Sequence, residues 1–207
     1  KVNPLNIVFN YGTFDFATQG FYFKFARGLL PYQLSCSEFR RFLSSYIYDE
    51  RSVYSQTLNL DSIQKQYLMD LLFENYQPAN REYLYNFLYD NCSTRVRDII
   101  EKSTGNQITW IAQPSTKSFW NLLDEYLSRS PWIQWGIHTI LGSPATSVAT
   151  IREQMFLPDY LMYHLDSAAY NGVPLVQPIE TVYEAPEQDL STPWYFSPFF
   201  VFAICGI

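Results

Sequence analysis

The chain begins with alternating apolar and polar positions and then changes to a helical period. Residues 6–16, with the sequence NIVFNYGTFDF, mix β-branched and aromatic residues with polar alternates, which predicts a strand. Residues 20–30, GFYFKFARGLL, alternate in the same way and predict a second strand. Because Gly20 lies between the two segments, we expect them to form a hairpin or a meander.

Six later segments predict helices, because their apolar residues recur at helical spacing. They cover approximately 39–47, 61–75, 92–104, 119–127, 132–141 and 150–164. Capping-box pairs mark three of the helix starts. These pairs are Ser35 with Glu38, Asp61 with Gln64, and Thr150 with Glu153. Pro158 is expected to kink or interrupt the last helix.

Three further segments carry strand-like or ambiguous patterns. Residues 52–60 predict a strand, and residues 174–185 predict a strand that Pro178 confines to a sheet edge. Residues 81–89, REYLYNFLY, fit either a short extended segment or a helical lead into the helix at Cys92. Strands that come first and helices that follow indicate the α+β fold class.

The two ends of the chain suggest a fragment of a membrane-attached protein. The chain starts at Lys1, and residues 194–207, WYFSPFFVFAICGI, form an apolar run that is still in progress at the last residue. A bilayer span needs about 20 apolar residues, so we interpret this run as the start of a transmembrane helix. A buried C-terminal segment is the alternative. We therefore expect one domain over residues 1–185, a polar linker over 186–193 and the membrane segment over 194–207.

The composition excludes several classes of function and says less about the fold. Hydrophobic residues make up 47% of the 207 residues, which is enough for a full core, and the net charge of −6 argues against a basic nucleic-acid interface. Aromatic residues reach 18%, and they suit either a membrane-facing surface with apolar grooves or an ordinary core. Three cysteines without a CxxC pair, and only two histidines, predict no zinc site, and we expect no cofactor.

Cys92 lies where a helix is predicted to begin, directly after Asp90 and Asn91. Either of these residues is a good N-cap, which places the thiol beside unpaired amides at the positive end of the helix dipole. With Arg95 and Arg97 close behind, we expect a lowered thiol pKa and a reactive thiolate. The same amides can also hold an oxyanion. The alternative is that Cys92 is a small residue that fills a helix start.

A cysteine nucleophile of this kind is normally activated by a histidine. Only His138 and His164 are present; His138 lies in an apolar helical stretch, and His164 ends a predicted helix. Neither has the context of a strand that faces a helix start, so we expect both to lie too far from Cys92 for a hydrogen bond. We also expect Cys36 and Cys92 to remain unbridged, because a nucleophile must stay free.

Four segments together resemble a known family. They are FNYGTFDF, QTLNL, NREYLYNFLYDNCSTRVRD and MFLPDYL, and they lie between about Asn6 and Leu161. In these segments the chain is similar to the amino-terminal periplasmic domain of the lipoprotein N-acyltransferases of Bacteroidota-type bacteria. The tyrosine-rich lead into Asn-Cys-Ser-Thr-Arg and the strand Asn-Tyr-Gly-Thr-Phe-Asp-Phe are the most specific parts of the resemblance.

The resemblance implies a permuted papain-like fold of the NlpC type, in which the histidine precedes the cysteine. In the family a Gly-His pair lies on a strand shortly before the Asn-Tyr-Gly strand, a segment that the printed sequence does not include. The resemblance implies that Cys92 is the nucleophile; Asn91 supports it, and Arg95 matches the motif without an assigned role. By position, Asn10 or Asp15 is expected to orient the histidine. No metal is implied.

The leading hypothesis is an inner-membrane acyltransferase whose domain faces the periplasm. Cys92 would take a fatty acyl group from a phospholipid as a thioester and pass it to the amine of diacylglyceryl-cysteine at a lipoprotein N-terminus. An alternative is a cell-wall or protein cysteine peptidase or amidase. A third reading is a non-catalytic envelope module that holds a lipid or a partner. No nucleic-acid partner is expected.

Overall fold

The computed structural model of the protein describes residues 6–15, 17–20, 24–25, 27–111, 115–186, 193, 195 and 197–205. The chain forms two compact units, each built from two stretches of sequence. The first unit contains residues 1–112 and 155–186, and the second contains residues 113–154 and 187–207. Most of the linker predicted over 186–193 lies outside the described residues, and the predicted domain boundaries stay a prediction.

The main sheet of the first unit has three antiparallel strands. They are β1 (Ile7–Phe14), β2 (Leu30–Glu38) and β4 (Glu82–Tyr85), in the spatial order β1-β2-β4. The first predicted strand is therefore confirmed as β1, and the ambiguous segment before Cys92 forms β4. The pairing of β1 with β2 shifts register between Asn10 and Thr13, which marks a bulge in β1.

The strand predicted over residues 20–30 is wrong for the part that the structure describes. Lys24 and Phe25 lie in a helical turn, in which the Lys24 amide donates to the Gly20 carbonyl at 2.9 Å. Residues 21–23 and 26 lie outside the described residues. The strand that pairs with β1 starts only at Leu30, which pairs with Tyr85 of β4, and its pairing with β1 covers Tyr32 to Glu38.

The remaining elements confirm the mixed α and β composition, with small antiparallel sheets. In chain order they are α1 (Phe39–Tyr48), β3 (Val53–Ser55), α2 (Ser62–Tyr76), α3 (Cys92–Ser103), α4 (Phe119–Leu127), α5 (Pro131–Leu141), α6 (Ile151–Gln154), α7 (Pro158–Ser167), β5 (Ala169–Tyr170), β6 (Val173–Pro174), β7 (Glu180–Tyr183) and α8 (Pro198–Cys205). The six predicted helical segments are confirmed, and α6 ends before Pro158 starts α7. Two further sheets pair β3 with β7 and β5 with β6.

Two of the three predicted capping boxes are confirmed. Asp61 caps α2 with Gln64 in return, and Thr150 and Glu153 bond each other at the start of α6. The cap predicted at Ser35 is wrong, because β2 continues to Glu38 and keeps Ser35 in the sheet. The Ser35 hydroxyl pairs there with the Thr13 hydroxyl at 2.6 Å.

The core of the first unit is rich in tyrosine. A buried cluster forms where alternate residues of β2 meet one face of β4 and one residue of β1. Its members are Tyr11, Leu30, Tyr32, Leu34, Tyr83 and Tyr85. Cys92 and Val96 of α3 pack against this cluster, so the sheet positions the start of α3.

The second unit contains α4, α5, α6 and α8. Here His138 stacks on Trp120 with ring centres 4.8 Å apart, and its Nε2 lies 2.9 Å from Asp124 Oδ1, without the alignment of a hydrogen bond. Trp120, His138 and Phe199 line a groove of about 730 Å³. The part of the predicted membrane segment that forms α8 is eight residues long. Among the described residues, no helix has the length and apolarity needed to cross a membrane.

Candidate active site at Cys92

A tight turn connects β4 of the sheet to the start of α3 at Cys92. After β4, the amide of Asn86 donates to the carbonyl of Asp90 at 2.9 Å, and the reverse bond measures 3.0 Å. Asn86 Oδ1 accepts hydrogen bonds from the amides of Leu88 and Tyr89 inside the turn. The predicted position of Cys92 as the first residue of a helix is confirmed.

Asn91, which is 3% exposed, is the N-cap of α3. Its Oδ1 accepts from the backbone amides of Ser93 at 2.9 Å and Thr94 at 3.0 Å, and its own backbone amide donates to Thr94 Oγ1 at 2.8 Å. Its Nδ2 donates to the carbonyls of Phe87 at 2.8 Å and Phe156 at 2.9 Å. One buried side chain therefore caps the helix and ties its start to two other segments.

This cap uses most of the amides at the start of α3. Those of Asn91, Ser93 and Thr94 are bonded within the capping box, and the Arg95 amide donates to the Asn91 carbonyl. Among the described residues, the amide of Cys92 has no partner other than its own sulfur. The expectation of several unpaired amides beside the thiol is wrong, because Asn91 Oδ1 already accepts from the amides of Ser93 and Thr94. One amide, that of Cys92, remains for a ligand.

The two arginines of α3 are paired with carboxylates. Arg95 donates to both oxygens of Asp90, at 2.5 and 2.6 Å, and its guanidinium lies 4.4 Å from the centre of the Tyr83 ring. Arg97 is buried and lies 2.7 Å from the Asp98 carboxylate. Because each positive charge is balanced locally, neither arginine supplies the positive field that we expected at the thiol.

The backbone of β1 passes beside Cys92 at the bulge. A Cβ atom placed on Gly12 would lie 3.9 Å from Cys92 Cβ and 3.2 Å from Asn10 Oδ1. Two hydrogen bonds hold this part of β1: the Tyr83 hydroxyl donates to the Tyr11 carbonyl at 2.6 Å, and Asn75 Nδ2 donates to the Tyr11 hydroxyl at 2.8 Å. The site is therefore assembled from β1, β4, α2 and α3.

Burial is the largest influence on the Cys92 thiol, and it raises the pKa above its ordinary value. Hydrogen bonds from the Ser93 hydroxyl and from the amides of Ser93 and Cys92 lower the pKa, without overcoming burial. The predicted lowering of this pKa is therefore wrong. The thiol rests in its neutral form near neutral pH, so a base must take its proton before it can act as a nucleophile. Cys36 and Cys92 are both free, as predicted.

Three buried tyrosines form one wall beside Cys92. Tyr32 and Tyr85 stack with ring centres 4.1 Å apart, and Tyr83 lies 6.0 Å from Tyr32. Burial raises the pKa of Tyr32 to about 12, and the negative charge of a Cys92 thiolate acts in the same direction. That charge also acts on Tyr83 and Tyr85, so all three hydroxyls lie within electrostatic range of the sulfur.

The residues that form the Cys92 site, with the exception of Phe156, lie inside a stretch of sequence that matches one protein family. The family model described as the Lnb N-terminal periplasmic domain matches residues 4–125, more than half of the 207 residues. The chain belongs to this family. Comparison with curated proteins and with solved structures gave no match. The resemblance found in the sequence is confirmed, and the Cys92 site is a site of the Lnb domain.

The two residues expected to orient a histidine in the Lnb domain are engaged in local turns. Asn10 Oδ1 accepts from the Gly12 amide at 2.8 Å, which places Asn10 next to the part of β1 that faces Cys92. Asp15 Oδ1 accepts from the Ala17 amide at 2.8 Å and lines a separate cavity of about 220 Å³. The structure thus brings Asn10 toward the site and places Asp15 at this cavity. Their role toward a histidine stays a prediction.

The two histidines occupy different units. His164 lies on α7, where its ring centre is 6.4 Å from that of Tyr160, and burial lowers its pKa. His138 lies on α5 of the second unit. Their expected separation from Cys92 stays a prediction.

Sequence reasoning missed the tyrosines that surround the thiol. Tyr83 and Tyr85 are two residues apart on a strand, so their side chains share one face of the sheet. The signal was present in the letters EYLY. The segment fits a strand and a helix equally well by sequence, and only the strand places both hydroxyls on the same side.

The raised pKa of Cys92 predicts slow alkylation near neutral pH. Only the thiolate reacts with iodoacetamide, so the rate should be lower than that of an unburied cysteine thiol and should keep rising with pH beyond the ordinary cysteine pKa. Peptide mapping by mass spectrometry separates Cys92 from the other cysteines. A rate at Cys92 that reaches its plateau at neutral pH would contradict the raised pKa.

Proposed function

We propose that the protein is a cysteine-dependent acyltransferase of bacterial lipoprotein biogenesis, with Cys92 as its nucleophile. The observation that carries the proposal is the position of Cys92: it starts a helix whose cap is buried, inside the matched Lnb domain. We also assign the domain to the permuted papain-like class, in which a histidine on a strand that precedes β1 serves as the base.

The reaction has two steps. In the first, the Cys92 sulfur loses its proton to the base and attacks the ester carbonyl of a phospholipid. The bond from the carbonyl carbon to the glycerol oxygen breaks, and the lysophospholipid leaves with the proton. In the second, the α-amine of diacylglyceryl-cysteine attacks the thioester, the carbon–sulfur bond breaks, an amide forms, and the thiol recovers its proton.

The surroundings of Cys92 suit a thioester intermediate. The sulfur packs against a cluster of aromatic side chains and is only partly exposed, so water has limited access to an acyl group bound there. A thioester is more reactive toward an amine than the starting ester is. Limited access of water therefore favours transfer to the amine acceptor over hydrolysis.

The location that we propose is the periplasmic face of the inner membrane, where both substrates reside. Exposed aromatic and aliphatic side chains of the second unit support contact with a bilayer. They include Trp132 and Trp135 on α5 and Phe199 and Ile204 on α8, and Phe199 is 86% exposed. The other partners that we propose are a phospholipid as acyl donor and a lipoprotein N-terminus as acceptor.

A two-substrate assay tests the proposed function. Purified protein in detergent micelles is given a phospholipid with a labelled acyl chain and a synthetic diacylglyceryl-cysteine peptide. We expect the label to appear in amide linkage on the peptide while lysophospholipid accumulates in equal amount. Cleavage of cell-wall peptides without label transfer would instead show an amidase. Lipid binding without either reaction would show a non-catalytic module.

A further inference from the structure

The tyrosine hydroxyls beside Cys92 differ in their hydrogen bonds. The Tyr83 hydroxyl donates to the Tyr11 carbonyl, and the Tyr11 hydroxyl accepts from Asn75. Among the described residues, no hydrogen bond engages the hydroxyl of Tyr32 or that of Tyr85. Both side chains are 8% exposed, and each phenol is a hydrogen-bond donor. The wall beside Cys92 thus holds two hydroxyl donors that have no partner among the described residues.

The amides at the start of α3 do not supply all the hydrogen-bond donors that an oxyanion needs, and such a hydroxyl could supply the missing one. When the Cys92 sulfur attacks a carbonyl carbon, negative charge develops on the carbonyl oxygen and has to be stabilised by hydrogen-bond donors. Asn91 Oδ1 already accepts from the amides of Ser93 and Thr94, so among the described residues the amide of Cys92 is the one at the helix start that no other residue engages. An oxyanion hole usually contains two donors, and the amide of Cys92 supplies one of them.

We propose that the stacked pair Tyr32 and Tyr85 supplies the second donor of the oxyanion hole, opposite the amide of Cys92. This inference rests on the proposed function, because it requires Cys92 to attack a carbonyl. It assigns a catalytic contact to side chains on β2 and β4, whereas Tyr83, whose hydroxyl is already engaged, holds β1 in place.

The stack explains how the donor is kept in position. Tyr32 pairs directly with Tyr83 across the two strands, and Tyr85 is its diagonal neighbour on the same face of the sheet. The rings of Tyr32 and Tyr85 lie 4.1 Å apart at an interplanar angle of 20°. Phe25 also stacks on Tyr85, with ring centres 5.8 Å apart. A hydroxyl on such a packed ring loses little rotational freedom when it binds an oxyanion.

The ionisation state of the pair agrees with a donor role. Burial raises the pKa of Tyr32 to about 12 and raises that of Tyr85 as well, so both keep their protons near neutral pH. The nearby charge of a Cys92 thiolate opposes their ionisation further. Neither hydroxyl is therefore the base that activates the thiol.

Two reactions at Cys92 separate an oxyanion donor from a structural residue. Acylation by p-nitrophenyl octanoate passes through a tetrahedral oxyanion, whereas alkylation by iodoacetamide is a direct displacement that forms none. Both rates are measured at Cys92 across a pH series for the wild type, Tyr32→Phe, Tyr85→Phe and the double variant. Phenylalanine keeps the stacked ring and removes only the hydroxyl. Tyr67→Phe, at a half-exposed position on α2, is the matched control.

We expect acylation of the double variant to fall by about 100-fold or more, which is the usual effect of losing one oxyanion donor. Most of the loss should come from one of the single variants, with alkylation and its pH dependence unchanged. Tyr67→Phe should match the wild type in both reactions. If acylation is unchanged in the double variant, or falls together with alkylation, the inference is wrong. If wild-type Cys92 is alkylated but never acylated, the proposed function fails, and this inference fails with it.

Discussion

Replacing Cys92 with serine is expected to lower the rate of acyl transfer to the lipopeptide by about a thousandfold or more. Serine fits the space of the thiol, so the fold should be unchanged. Its hydroxyl is a far weaker acid than the thiol, and the site already disfavours the charged form of the nucleophile by burial. The rate is measured with a labelled phospholipid donor and a diacylglyceryl-cysteine peptide acceptor.

The control is the same chemical change at Cys36. This free cysteine lies on β2 opposite Phe9 of β1 and is partly buried. Cys36→Ser should keep the wild-type rate, and both variants should unfold at the wild-type temperature. A Cys92→Ser protein that is folded and still transfers acyl groups at the wild-type rate would exclude Cys92 as the nucleophile.

Replacing Asn91 with alanine is expected to lower the free energy of unfolding by about 3 kcal/mol. Loss of an N-cap costs about 1 kcal/mol, and the carbonyls of Phe87 and Phe156 would each lose a buried donor at about 1 kcal/mol or more. These losses fall on one residue because Asn91 is both the cap of α3 and its tie to two other segments. Urea unfolding followed by circular dichroism measures the change.

Two further variants separate the stability that Asn91 contributes as an N-cap from the stability that its hydrogen bonds to the two carbonyls contribute. Asp61→Ala removes an N-cap with the same capping box on the exposed start of α2, so it should cost about 1 kcal/mol. Asn91→Asp keeps the acceptor for the amides of Ser93 and Thr94 and loses the two donors to carbonyls. It should therefore be destabilised, although the cap is retained. If Asn91→Ala lowers the free energy of unfolding by no more than Asp61→Ala does, the hydrogen bonds to the carbonyls of Phe87 and Phe156 contribute nothing to stability.

The helices were predictable because their signals are local. The capping boxes of Asp61 and Thr150, the start of α3 at Cys92 and the interruption at Pro158 each depend on residues within one turn of each other. Such signals act before any tertiary contact forms. The family motif around Cys92 is local in the same way, and the match to residues 4–125 bears it out.

The strands and the chemistry at the thiol depend on contacts that a local pattern does not contain. The second strand starts at Leu30 rather than Gly20, because Leu30 pairs with Tyr85, which lies 55 residues further along the chain. Ser35 is held in the sheet by pairing with β1, and the predicted cap was lost for that reason.

The pKa of Cys92 was predicted with the wrong sign for a related reason. The sequence shows a helix start and two arginines, both of which lower a thiol pKa. It does not show that Asn91 occupies the amides, that Asp90 binds Arg95, or that a tyrosine cluster buries the sulfur. Burial is a property of the assembled sheet and helix, and here it outweighs the local field.

The most direct test of the account is the mass of the Cys92 peptide after the protein has been incubated with a phospholipid donor and no amine acceptor. We expect this peptide to gain the mass of one acyl chain. Neutral hydroxylamine should remove the added mass, because it cleaves thioesters, and adding the diacylglyceryl-cysteine peptide should remove it as well. An unmodified Cys92 in protein that transfers acyl groups once the acceptor is present would contradict the account.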